Sequence, residues 1–525
     1  MSRVSRGCLP CRTRKVKCDE GRPSCKRCTL RGEICSGYRD ESSLIFRNEN
    51  DKASRIHVRR RASADSLTRS TTSSQGAAKS GTLRGDLGRN DLSLRRGESP
   101  SSKSLYPWVK SIPQASVPSE EEQAVSQFFE RYVMYPCNHG SSPGFLEQLP
   151  GLFAEVKSKG RVALRWAVRA AAYASLSNEQ DDPTLGNNAI KCYGRALSAL
   201  AESLADINAA PDDHILMTVV VLDLFEAIHL PDAVSKGSHA EGMAQILRLR
   251  GPDQIYGARG WSLFRLSHHR LQKEELTFRQ EKQGNLAVSE VWLDSLNEEL
   301  PYVRIEQDNF QIKQTCSRAR DLLKSLDNLE GNAYRILDTI KEMHKLDQIA
   351  TTWRQGPEWA YKIIHRSEMG RDWSQVPEFP EYVQLHHDVW IAYEWNYHRT
   401  ARMIMHEHLL ECLSKLHDSQ SDIDPLNLDS TEQASLSIIW SLANEILSTV
   451  PQSLGDIDHR GRLTENSSRT PKARGVGAYF LLWPIKMIKA LKHPTTEQKR
   501  IAQVVLERIR EYTGMKSTLG ERSNI

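Results

Sequence analysis

Residues 5–38 read SRGCLPCRTRKVKCDEGRPSCKRCTLRGEICSGY, with cysteines at Cys8, Cys11, Cys18, Cys25, Cys28 and Cys35. Their spacing, C-x2-C-x6-C-x6-C-x2-C-x6-C, is two copies of one C-x2-C-x6-C unit. Three thiols per copy fall one short of the four ligands that tetrahedral structural zinc takes. Two zinc ions need eight ligand positions, and six thiolates fill them when two of the six bridge and count twice. Six thiolates and two dications leave a small negative surplus that the surrounding Arg and Lys offset. Thiolates also select zinc over magnesium or calcium. The other cysteines, Cys137, Cys192, Cys316 and Cys412, are scattered. The start of the chain has basic residues but no apolar stretch of a secretory signal, so a reducing compartment is expected. There, six crowded thiols imply metal rather than disulfides.

Around this head the composition changes twice. The chain has 525 residues and a net charge of +5, long enough for two to four domains at about 150 residues each. The charge is uneven: residues 1–110 hold 25 Lys+Arg against 11 Asp+Glu, which leaves 46 against 55 for the rest. A basic head on an acidic body suits a polyanionic partner for the head. Between Phe46 and Tyr106 there is no aromatic residue, and Ser, Thr, Arg and Gly dominate. Such a stretch cannot bury enough apolar area to offset its ordering entropy, so 41–110 reads as a disordered linker. No run reaches the roughly 18 uncharged apolar residues of a membrane helix, since Asp223 and Glu226 interrupt the best candidate at 215–230. No membrane partner is expected.

From residue 111 onward apolar residues recur at helical spacing. Ser119 with Glu122 forms a capping box, and Pro211, Asp212 and Asp213 open a helix running to about His229. Further helices are expected at about 161–177, 184–207, 235–250 (stopped by Gly251-Pro252), 305–326, 330–366, 379–417, 430–450, 476–491 and 496–513. No alternation of period two competes with them. The expected domains are therefore a zinc-cluster head over 1–40, the linker over 41–110 and an all-α body over 111–525.

The head resembles the fungal six-cysteine, two-zinc binuclear cluster of Gal4-type transcription factors. The body, around LDLFEAI (222–228) and HAEGMAQILRLRGP (239–252), looks like that family's fungal-specific helical regulatory domain. The resemblance implies that Cys8 and Cys25 are the bridging pair and that Pro23 bends the loop between halves. It also implies a nuclear protein that binds double-stranded DNA at CGG triplets. Zinc anchors the short helix expected between Cys11 and Cys18, so its cations are presented already ordered, and a helix end fits the major groove. The resemblance puts base reading at Arg14 and Lys15, with Arg12 and Lys17 on phosphates. Lys26, Arg27 and Arg31 would brace the cluster and touch backbone, with Gly32 stopping their helix. It further implies contacts with transcription machinery or coregulators, regulation of a metabolic or secondary-metabolite gene set, and a homodimer. A small-molecule effector of the body would be unidentified. No sustained a/d heptads follow Cys35, so the family's dimerising coiled coil is not evident. The alternative is a non-enzymatic interaction protein that uses the zinc module as a scaffold.

Other motifs read as incidental. Gly140-Ser-Ser-Pro-Gly144 matches G-x-S-x-G, yet no strand leads into it and Pro143 sits inside it. Met405-His-Glu-His408 lacks the second His at i+4 of a zincin, and His268-His269 and His386-His387 read as solvated or capping pairs. No phosphate-binding loop is present, and an enzyme is not expected. Arg59-Arg60-Arg61-Ala62-Ser63 is a basic run suited to nuclear import or to a basophilic kinase, and Ser99-Pro100 is a weaker proline-directed site. Residues 289–302, SEVWLDSLNEELPY, have the spacing of an ordinary amphipathic helix.

Overall fold

The computed structural model describes residues 8–14, 16–19, 21, 24–32, 35, 118–136, 144–155, 160–205, 211–230, 238–277, 301–324, 329–352, 357–369, 378–418, 425–462, 464 and 474–519. The chain divides into two units, Met1–Trp108 and Val109–Ile525. In the first, two short helices, α1 (Leu9–Thr13) and α2 (Lys26–Thr29), each follow a cysteine.

The second unit is mostly helical. Its first helix, α3 (Glu120–Tyr132), starts at the expected capping box: Ser119 N donates to Glu122 Oε2 at 2.8 Å and Glu122 N to Ser119 Oγ at 3.2 Å. After the short α4 (Leu149–Ala154), α5 (Arg161–Gln180) and α6 (Pro183–Leu204) form a hairpin. Its turn combines Asp181 at φ 52 with Asp182, whose carboxylate accepts from Thr184 N at 2.7 Å. The most deeply buried helix of this end is α7 (Asp213–His229), which Asp212 caps by accepting from His214 N at 2.7 Å. Next, α8 (Ser238–Arg250) stops where expected, at Gly251 with φ 71, a left-handed conformation that glycine adopts without a Cβ clash. Arg250 ties the two together, donating to Pro211 O and to Asp213 Oδ1, both at 2.7 Å.

Among the described residues, the short α4 lies outside the expected set, as does one long helix, α9 (Ala258–Thr277). Its apolar residues make no clear stripe because it is buried on most sides, polar residues included. Arg265, Ser267, His268, His269, Gln272 and Glu274 are all buried, so His268 and His269 are not a solvated pair. Several find partners across the fold, His269 Nδ1 among them, 3.2 Å from Tyr393 Oη. Arg265 donates to Gly144 O at 2.8 Å and lies 4.3 Å over Trp390, and Gln272 accepts from Tyr397 Oη. Periodicity detects an amphipathic helix at the surface and is blind to one whose polar side chains are paired inside.

Beyond α10 (Pro301–Lys324) and α11 (Leu329–Thr352) the expectation of continuous helix fails. Residues 361–365 form β1 (Tyr361–His365) and pair antiparallel with β2 (Tyr382–His386), Tyr361 opposite His386. Pro357 breaks the helical run, and Tyr361, Ile363 and Ile364 suit a strand. The two strands are sixteen residues apart, so no tight-turn signature announces them. Gln452 locks β2 to the body, accepting from His386 N at 2.9 Å and donating to His386 O at 2.8 Å. Consequently His386 is buried, whereas His387 is exposed.

The remaining helices are α12 (Val389–Asp418), α13 (Pro425–Ser448), the short α14 (Val450–Ser453), α15 (Arg474–Ala490) and α16 (Thr496–Thr513). One continuous apolar cluster joins residues of α3 to α13, α15 and α16. No helix among the described residues is long and apolar enough to cross a membrane.

At the end of α7, His229 is buried and stacks on Phe225 with ring centroids 5.4 Å apart. Burial, with Lys516 nearby, pulls its pKa down to about 4. An unfolded imidazole takes its proton near 6.5, so the unfolded state gains protons first as pH falls. Body stability should drop between about pH 6.5 and 4, by up to about 1.4 kcal/mol per pH unit from this residue. Denaturant melts of wild type and His229→Phe across that range should show a shallower pH slope for the variant.

Candidate zinc centre and nucleic-acid interface

The head is built twice on one plan. Cys8 precedes α1 as Cys25 precedes α2, Cys11 and Cys28 lie within those helices, and Cys18 and Cys35 follow outside any helix or strand. The C-x2-C spacing puts the first sulfur at the helix entrance and the second one turn inside it. In the second copy the Cys25 sulfur itself caps α2, accepting from Cys28 N at 3.4 Å. Gly32, at φ 68, ends that turn as its position suggested.

Cys8, Cys11, Cys25 and Cys28 are fully buried. The Sγ atoms of Cys8 and Cys25 lie 3.6 Å apart, those of Cys8 and Cys28 3.7 Å, and those of Cys11 and Cys25 3.8 Å. A disulfide would hold them about 2.05 Å apart. Four sulfurs at about 2.3 Å from one zinc ion lie on a tetrahedron with edges of about 3.8 Å. The observed distances are therefore those of ligands around a metal. Two sets of four sulfurs meet this description, Cys8/Cys11/Cys18/Cys25 and Cys8/Cys25/Cys28/Cys35, each with its sulfurs within 4.8 Å of one another. Cys8 and Cys25 belong to both. Burial pushes the Cys25 thiol up to about 12 and the Cys8 thiol above the ordinary range. Thiols so placed stay neutral unless a cation compensates them, and a bound dication does so.

The basic residues distribute around this core. Lys17 is exposed beyond the end of α1, and Lys26, Arg27 and Arg31 are exposed on and after α2. The helix expected between Cys11 and Cys18 instead begins at Leu9 and ends at Thr13. After it the chain must turn back so that Cys18 can rejoin the other sulfurs, and Val16 N donates to Cys11 O at 3.0 Å in that turn. Arg14 bends toward the cluster, its Nε donating to Pro10 O at 3.2 Å and its Nη2 to Cys28 Sγ at 3.7 Å. Arg12 lies in α1. Lys15 and Pro23 lie outside the described residues, as do 41–110, 140–143 and 289–300. The expectations for the linker, for Ser63 and Ser99, and for the G-x-S-x-G match fall there.

Sequence reasoning passed over Asp19. Its Oδ2 accepts from Lys26 N at 3.0 Å and its Oδ1 from Arg27 N at 3.4 Å, so a residue adjoining Cys18 caps the helix of the second copy. The Lys26 amide, first among its partners, holds this carboxyl below the usual aspartate range. The signal lay in the spacing, since an acid six residues before a cysteine-capped turn can reach back to it.

Residues 6–44 match the family model of the fungal Zn(2)-Cys(6) binuclear cluster domain. The aspercryptin biosynthesis cluster-specific transcription regulator atnN of Emericella nidulans is 56% identical over 36 residues, 7% of this chain and 6% of that protein. White-opaque regulator 2 of Candida albicans is 46% identical over 48 residues, 9% and 11% of the two chains. The transcription factor dbaG of Emericella nidulans is 32% identical over 144 residues, 27% and 33% of the two chains. The chain thus matches no more than 33% of the length of these curated relatives. No solved structure matches. The head is thus a fungal Zn(2)-Cys(6) binuclear cluster domain, of the kind that the matched part of these fungal regulators shares, and a mostly helical unit follows it.

If Asp19 joins the two copies, Asp19→Ala should lower zinc affinity on the order of tenfold, the low end of what groups supporting metal ligands contribute. Asp19→Asn, which keeps an acceptor oxygen, should retain most of it. Competition with a chromophoric chelator measures both.

Proposed function

We propose that the chain regulates transcription in the nucleus by sequence-specific binding to double-stranded DNA, through a head that holds two structural zinc ions with Cys8 and Cys25 bridging. The observation that carries this reading is the sharing of those two sulfurs by two tetrahedral sets, with exposed Lys17, Lys26 and Arg27 around them. Zinc when bound supplies the folding energy that so small a head lacks, and the chain's own cations supply affinity for phosphate. Lys15 reads guanine in a CGG triplet, donating to O6 and N7. Arg14 joins it by exchanging the Cys28 sulfur for a base edge. Arg12 and Lys17 hold phosphates, and Lys26 and Arg27 brace the second copy against the backbone. The stretch over 41–110 tethers head to body, and the acidic body carries contacts to coregulators. The gene set is a metabolic one, in keeping with the biosynthesis-cluster role in the name of one relative.

Native mass spectrometry of the full chain should show two zinc ions, and replacing Cys8 or Cys25 should lose both, since each touches both. One ion in the wild type rules out the shared-sulfur arrangement. For readout, Lys15→Ala should cost about 1–3 kcal/mol on a CGG site and flatten preference there, whereas Lys17→Ala should weaken all duplexes alike and reduce the salt slope by about one. Equal losses on specific and random duplexes for both variants count against the assignment. Binding to no duplex at all favours the scaffold alternative.

A further inference from the structure

Acids inside the body are answered by arginine: Asp223 pairs with Arg270 at 2.9 Å, Asp347 with Arg402 at 2.7 Å and Asp456 with Arg508 at 2.8 Å. Two carboxylates on α13 are not. Asp429 and Glu432 stand three residues apart on one helix, and among the described residues no lysine or arginine lies within ion-pair distance of either. Like charges so spaced repel. The group that faces them is an imidazole, His417, from the last turn of α12. Its Nε2 lies 3.6 Å from Asp429 Oδ1, too far for a hydrogen bond. Donors at about 2.1 Å from a tetrahedral zinc ion lie about 3.4 Å apart, so the spacing suits a shared ion better than a direct contact. All three ligand atoms, drawn from two helices, fall within 4.8 Å of one another.

A cavity meets this cluster. His417 and Glu432 line a hollow of about 450 Å³ bounded by α9, α10, α12, α13 and α15. The α12 wall carries His408 and Glu411 as well, so imidazoles and carboxylates recur toward the same space. We infer that His417, Asp429 and Glu432 hold a divalent first-row transition ion, zinc above all, with water from the cavity completing its coordination. Imidazole beside carboxylate favours such ions over magnesium and calcium, which take oxygen donors. Three protein ligands with one position left to water is the make-up of an open zinc site. The ion joins the end of α12 to the first turns of α13 and cancels the repulsion between Asp429 and Glu432. The site is wet, since the side chains of Asp429 and His417 are 69% and 35% exposed. It therefore binds more weakly than a buried set of four sulfurs and fills only when zinc is plentiful. None of its ligands belongs to the cysteine head, so the inference stands apart from the DNA reading.

None of the three side chains is buried, so replacing them leaves the apolar packing intact. Native mass spectrometry of the full chain, with free zinc raised to about 100 µM to fill a micromolar site, should show one ion more than the cysteines hold. His417→Ala should weaken that ion at least about tenfold. Asp429→Asn together with Glu432→Gln should remove it, and both variants should keep the cysteine-bound ions. Cys8→Ala gives the converse, losing metal from the head while the further ion stays, so a failure of the head reading and a failure of this one leave different spectra. Once the head is saturated, more zinc should raise the thermal midpoint of the wild-type chain and leave that of the carboxylate variant unchanged. No ion beyond those of the cysteines, or a further ion indifferent to His417→Ala and to the carboxylate exchange, overturns the proposal.

Discussion

Sulfur takes the place of a hydrophobic core in the head. Among its described residues the fully buried side chains are Cys8, Cys11, Cys25 and Cys28, and a group of atoms that small cannot offset the entropy of ordering the chain around it. Everything else in the head follows from bringing those sulfurs to tetrahedral spacing. The two helical turns exist to aim Cys11 and Cys28 inward, and Asp19 fastens the entrance of the second turn. Arg14, which adjoins the interval expected to meet DNA, bends back to a sulfur. Cations are thus distributed between holding the cluster and facing outward, and the same residue types serve both ends.

The body solves the opposite problem. It has ample apolar surface, and its distinctive feature is the number of charged side chains placed inside it. Arg270 donates to both oxygens of Asp223 at 3.0 and 2.9 Å and to Glu274 Oε2 at 2.6 Å. Arg399, 1% exposed, donates to Glu445, Asn396 and Gln384. Desolvated charges of this kind are costly to leave unpaired, so removing one partner penalises any packing but the native one. They tie α7 to α9, and β2 to α12 and α13, in one register. The strand pair, which has its own small apolar cluster of Phe379, Val383, Leu385 and Ile457, is held to the body through these bonds and through Gln452.

Charge is divided along the chain. The 25 Lys+Arg of residues 1–110 accompany the cluster, while the remainder carries an excess of acids. A net negative stretch is repelled by a polyanion, whereas the basic head attracts one.

Spacing alone made the clustering of the six cysteines legible, because coordination number and charge restrict what C-x2-C-x6-C twice over can do. Capping residues marked helix ends equally well, as Ser119–Glu122 and Gly251 did, because caps act within a few residues of sequence. Three things depended on tertiary structure. The helix Ala258–Thr277 hides its periodicity, since Arg265, His268, His269 and Gln272 are buried and paired to residues more than a hundred positions away or stacked on neighbours. The strands at 361–365 and 382–386 pair over a separation that no local turn chemistry announces. Asp19 and Arg14 acquired their roles only when the fold brought them to α2 and to Cys28. Local rules reach as far as a helical turn; which buried polar group meets which partner is settled by packing, because the cost of leaving it unpaired is paid only once water has been excluded.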